Sequence, residues 1–182
     1  MRKLLFILIG FSIISCREKE VVKKELSEKQ TKTELKTEKE TAFEKSIPEQ
    51  YIENDSLLSK MENDLDKIAS DPQFTIDKKP VKNRHLDNVI DTIVTHSFGK
   101  SKLEFYKTQN EKWIYGARIE NSNFYFLDSI NVGKSKKALE EQIATELKSD
   151  VIKIGNLEQT SVFVFKIENG KILEIIYEGY VD

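Results

Sequence analysis

Thirty consecutive residues, 17 to 46, read REKEVVKKELSEKQTKTELKTEKETAFEKS, and nothing else in the chain restricts its fold so strongly. Twenty of the thirty positions are Lys, Glu or Thr, and the few apolar residues recur with no helical spacing. So little apolar surface cannot offset the entropy of ordering the segment. It is therefore expected to stay outside any core, as a disordered or partly helical linker. Pairs such as Glu28 with Lys32 at i,i+4 would support a lone helix, and even then the role is spacing. As a coil the segment would span on the order of 30 Å, and roughly 100 Å pulled straight. What can fold lies to either side: a short apolar N-terminus, and about 135 residues from Pro48 to Asp182, enough for one domain with a single core.

The N-terminus reads as a targeting segment. Arg2 and Lys3 form a positive n-region, and Leu4 to Ile14 follow as an apolar stretch broken only by Gly10 and Ser12. That is about half of the roughly 20 apolar residues a spanning helix requires. The stretch ends at Cys16, the only cysteine in the chain, where apolar residues give way to charged ones.

Ile13-Ile14-Ser15-Cys16 resembles the lipobox of bacterial lipoproteins. The resemblance implies a signal peptide over 1–15, cleaved between Ser15 and Cys16, with a diacylglyceryl group on the Cys16 sulfur and an acyl group on its amino terminus. At about 0.8 kcal/mol per buried methylene, two or more long chains hold a protein on a membrane essentially permanently. Residues 16–47 would then be a lipid-anchored tether, and 48–182 a single domain in the cell envelope, most often at the outer membrane, with either face open. The mature chain would have no thiol left for a disulfide or a cysteine metal site, which suits an oxidising compartment. Losing Arg2 and Lys3 moves the balance from 29 basic against 31 acidic residues to 27 against 31. Such mild acidity argues against nucleic acid as a partner.

Within 48–182, Asn54 or Asp55 can cap a helix whose Leu57, Leu58, Met61, Leu65, Ile68 and Ala69 share one face, ended by Asp71-Pro72. Segments of strand period follow, in NVIDTIVTHSF, KLEFYKT, KWIYGARI and NFYFLDSI, with a Gly99-Lys100 turn after the first. A second helix, SKKALEEQIATEL, places Leu139, Ile143, Ala144 and Leu147 on one side with Ser135 as N-cap. Then come DVIKI, QTSVFVFKI and ILEIIYEGY, the last pair joined by Glu168-Asn169-Gly170-Lys171, a hairpin signal. The expected class is α+β: an antiparallel sheet of six or seven strands with two amphipathic helices.

Gly133-Lys134-Ser135 before a helix invites comparison with a phosphate-binding loop, but Asp128 stands where that loop needs glycine. The stretch from Gly133 through Ser135 and Leu139 to Asn169-Gly170-Lys171-Ile172 resembles small envelope lipoproteins of the outer-membrane-assembly kind and β-lactamase-inhibitory-protein-like domains. That resemblance implies a binding module without catalysis. Here four strands precede the helix, and no Leu-Gly-x-Pro closes it.

His85 and His96 are the only histidines, and a two-histidine metal site with Asp87 or Asp91 would need the fold to gather them. No cofactor is expected beyond the covalent diacylglycerol and acyl groups at Cys16. The absence of a GxSxG motif argues against a serine hydrolase, whereas paired carboxylates for glycoside cleavage remain an open alternative among 31 acidic residues. The aromatic residues Tyr106, Trp113, Tyr115 and Tyr125 fall on adjacent predicted strands, and Trp113 and Tyr115, two apart, share a sheet face. They either pack across strands or under the first helix, or form an exposed platform for a sugar ring or a protein. The leading expectation is a membrane-anchored, non-catalytic module that binds another envelope protein, with a glycan or small ligand on the aromatic face as the alternative.

Overall fold

The computed structural model describes residues 48–180; the expected signal peptide, Cys16 and most of the tether lie outside the described residues. The described elements are β1 (Glu49–Glu53), α1 (Asp55–Ala69), β2 (Thr75–Lys82), β3 (Ile90–Phe98), β4 (Ser101–Lys107), β5 (Lys112–Ile119), α2 (Lys136–Ile143), β6 (Val151–Gly155), β7 (Ser161–Glu168) and β8 (Lys171–Gly179). All eight strands join one sheet in the order β1-β6-β7-β8-β5-β4-β3-β2. The fold is mixed α+β. Eight strands replace the expected six or seven, and the sheet is not wholly antiparallel, because β1 runs parallel to β6 from Glu49 opposite Val151 to Glu53 opposite Gly155.

Local chemistry explains most of these elements. The Asn54 side chain accepts from the Leu57 amide at 2.9 Å and starts α1, whose Leu58, Met61, Leu65 and Ile68 are buried one turn apart. Each such side chain contributes about 1.5–3 kcal/mol by leaving water. Ser135 caps α2 in the same way through the Ala138 amide. The helix stops earlier than its pattern suggests, since Ala144 turns left-handed at φ 52°; Leu147 nevertheless reaches the core from the loop beyond. At the β7–β8 hairpin, Asn169 and Gly170 both take positive φ, as a two-residue turn matched to strand twist requires.

Two strands had no local signature. Strand β2 reads TIDKKPVK and lies at the sheet edge, where Pro80 has no ladder to donate to on its outer side. Strand β1, EQYIE, exists because of a partner about 100 residues away, held further by Gln50, which accepts from the Lys148 amide at 2.7 Å. Conversely, NFYFLDSI is no strand: Leu127 and Asp128 take φ of 50° and 64° and fold it back into a Phe126–Ile130 bridge.

The core gathers α1, Leu139 of α2, and one set of alternating strand residues, including Val94, Leu103, Phe105, Ala117, Ile154, Phe163, Phe165, Ile175 and Tyr177. The intervening residues belong to the opposite face. Val162 and Val164 there are also buried, beneath a layer of ionic side chains in which Glu174 bonds both Lys166 and Arg118. No described helix is long and apolar enough to cross a membrane.

Candidate functional site

On the face away from the helices, strands β2 to β5 and the end of β8 surround a recess of about 440 Å³ lined by Val81, Lys82, Arg84, Ile93, Tyr106, Tyr115, Gly179 and Tyr180. Pockets that hold small ligands occupy about 300–1,000 Å³. Register explains its composition. Ile93 pairs with Tyr106 across β3 and β4, and Tyr106 pairs with Trp113 across β4 and β5, so the three stand in a row on one face.

An irregularity then sets Tyr115. Glu104 pairs with Gly116, and Phe105 with Ile114, which leaves Tyr115 without a partner across the ladder. Such a bulge twists the strand and re-aims a side chain. Ile114 packs against the core, whereas Tyr115 lines the recess. Gly179 also lines the recess, at a point where a Cβ would come within 2.9 Å of the Tyr177 ring and 3.2 Å of the Ile114 carbonyl oxygen.

Beneath the recess lies Asp91, 1% exposed, opposite Val81 in the β2–β3 ladder. Its Oδ2 accepts from the Tyr106 hydroxyl and from Asn83 Nδ2, each at 2.6 Å, while Oδ1 has no hydrogen-bond partner. The Asn83 Oδ1 in turn accepts from the amides of His85 and Leu86 at 2.8 and 2.7 Å. A single buried carboxylate thus fixes both the tyrosine wall and the loop carrying Arg84. The hydrogen bond to Asp91, then burial, raises the Tyr106 pKa above the ordinary phenol value. Burial, then the Glu104 charge, raises that of Tyr115. Both phenols stay protonated at neutral pH.

Three of the four sequence-selected aromatic residues come together. Tyr106 and Tyr115 line the recess, and Trp113, 41% exposed, stacks on Tyr106 with ring centroids 6.4 Å apart. They do not lie under the first helix. Tyr125 is not part of the group: it sits in the loop after β5 beside Phe124, which packs on Phe74 at 5.2 Å and Phe98 at 5.8 Å, toward the other end of β3. The histidines do not meet Asp91 either. His96 is five residues on along β3 and so on the core face, with Nδ1 3.0 Å from the Ala69 carbonyl oxygen, and His85 is exposed in the loop. Among the described residues no three His, Cys, Asp or Glu side chains gather as a metal site would require. Gly133-Lys134-Ser135 serves α2 as turn and cap.

Sequence reasoning missed Asn83, Arg84 and Tyr180 as site residues, and considered Asp91 only as a metal ligand. The available signal was Asp91 itself, one carboxylate in an otherwise apolar strand run, which a fold must either expose or satisfy. No known family, curated protein or solved structure matches this chain.

Proposed function

We propose that the protein is an envelope lipoprotein, anchored through acylated Cys16 and a charged tether, whose domain is a binding module working through the recess on the open sheet face. The observation that supports this reading is the convergence of Tyr106 from β4 and Trp113 and Tyr115 from β5 around a recess that no described helix lines. Aromatic rings with polar tips on a rigid sheet lose little entropy on binding and bury much area. A small ligand fits this concave geometry better than the flat face of another envelope protein, though an envelope partner presenting a ring-sized group would dock equally well.

Hydrolysis by paired carboxylates needs two facing acids. The residues lining the recess include none, and Asp91 beneath them is bonded to Tyr106 and Asn83. Binding is therefore preferred over catalysis.

The anchor and the module are tested separately. Intact mass of membrane-purified protein should begin at Cys16 and carry acyl mass, while Cys16→Ser should lack the acyl mass and remain unprocessed or mislocalised. A soluble wild type cut elsewhere would overturn the anchor. For the module, emission from Trp113, the only tryptophan, should shift when envelope extracts are added to wild type and not to folded Tyr115→Ala.

A further inference from the structure

The recess also indicates the chemistry of what it holds, given that it is a ligand site. Lys82 and Arg84 are among its lining residues, and among the described residues neither enters an ion pair or a side-chain hydrogen bond. In the β5–β8 half of the same face cations are matched: Lys166 and Arg118 share Glu174 at 2.6 and 2.8 Å, and Lys153 meets Glu49 at 2.5 Å. Two like charges lining one recess that has no carboxylate among its lining residues repel one another, and a bound anion would relieve that.

Their placement is also fixed in advance. Asn83, between them in sequence, is tied by its side chain to buried Asp91 and to the amides of His85 and Leu86. The segment is thus held before any ligand arrives. A planar guanidinium fork suits one carboxylate in a bidentate pair. A polyphosphate would call for a helix N-terminus or a run of backbone amides; the recess is lined from strands and from the loop carrying Arg84, and its one lining glycine, Gly179, lies in β8.

Beside the cations the lining offers tyrosine rings with hydroxyl tips. The Tyr115 hydroxyl makes no hydrogen bond among the described residues, and the Tyr106 oxygen, whose O–H donates to Asp91, keeps lone pairs to accept a hydrogen bond. Ring faces for the C–H side of a sugar, hydroxyls for its hydroxyls and a cation pair for one negative group occur together. We propose that the recess binds a sugar ring bearing a carboxylate, a uronic-acid unit of an envelope or extracellular glycan, with Arg84 and Lys82 on the carboxylate and Tyr106 and Tyr115 against the ring.

The test titrates the full-length protein in detergent with trigalacturonate and with its neutral methyl ester, following Trp113 emission and heat. The acid should bind saturably and at least about tenfold tighter than the ester, and Arg84→Gln should remove that preference by about tenfold while leaving the circular dichroism unchanged. Equal binding of acid and ester would overturn the anionic assignment and leave the recess standing as a ligand site. Binding of neither would overturn the sugar. The dye 8-anilinonaphthalene-1-sulfonate then separates the two levels: fluorescence enhancement in wild type but not in folded Tyr115→Ala keeps the recess as a site for another ligand, whereas no enhancement in either removes both proposals.

Discussion

Glu174 on β8 and Asp91 on β3 are both buried, 6% and 1% exposed, on the face that the helices leave open, yet the two halves of that face satisfy them differently. Each Glu174 oxygen has its own cation, Lys166 at 2.6 Å and Arg118 at 2.8 Å, and Arg118 also approaches Glu120 at 3.9 Å. Asp91 holds two neutral donors on one oxygen and none on the other, although Lys82 and Arg84 stand on the same recess without a partner among the described residues. The β6-β7-β8 half closes its electrostatics over Val162 and Val164 as a structural surface does. The β2-β3-β4 half leaves polar capacity open, and departures of that kind gather where a protein does its work.

The core face sets the scale for perturbing either half. Leu65→Ala, at a fully buried position of α1, should lower unfolding free energy by about 2–5 kcal/mol in urea titrations. A loss below 1 kcal/mol would mean that the helix does not support the sheet. Next comes the direct contrast. Asp91→Ala strands the Tyr106 hydroxyl and the Asn83 amide, at about 1–3 kcal/mol, and should speed hydrogen exchange in residues 83–89. Glu174→Gln leaves Lys166 and Arg118, 43% and 51% exposed, free to rehydrate, at about 0–1 kcal/mol. The reverse order would abolish the distinction between the halves.

A smaller effect separates the faces by pH. Burial, then the Lys112 charge, holds the His96 pKa below the ordinary value, so the folded state favours the neutral ring. The unfolded chain, with its histidine near the ordinary pKa of about 6.5, binds the proton first. The stability contribution is therefore intact above that value and declines as pH falls from about 6.5 toward the lower folded pKa. Urea midpoints should fall over that range in wild type and fall less in His96→Gln. The mildest variant is Asp91→Asn, which keeps an acceptor for both donors. Its signature is spectroscopic: the Tyr106 phenol, raised first by its bond to Asp91, should titrate closer to an ordinary tyrosine, and an unchanged titration would disprove that bond's role.

Elements whose signals are local were legible in the sequence. The Asn54 and Ser135 caps, the α1 stripe from Leu58 to Ile68, and the Asn169-Gly170 hairpin all depend on neighbours within a few residues. Strand β1 depends on β6, and β2 hides behind Pro80 and its lysines, so neither periodicity nor propensity marks them. In NFYFLDSI, alternation at Phe124 and Phe126 imitates a strand, while left-handed Leu127 and Asp128 reverse the chain. The site divides in the same way. Trp113 and Tyr115 sharing a face follows from spacing, and the bulge preserves it. That Asp91 would sit beneath Tyr106 follows only from the register of β2, β3 and β4, which no single strand encodes.

The proline and lysines of β2 have a consequence beyond the fold. An open strand edge is a template on which further chains can add. This one offers a missing donor at Pro80 and positive charge at Lys78, Lys79 and Lys82. Copies crowded together on a surface would meet repulsion there in place of a free ladder. The population should persist as separate particles where a bare edge would seed a fibre.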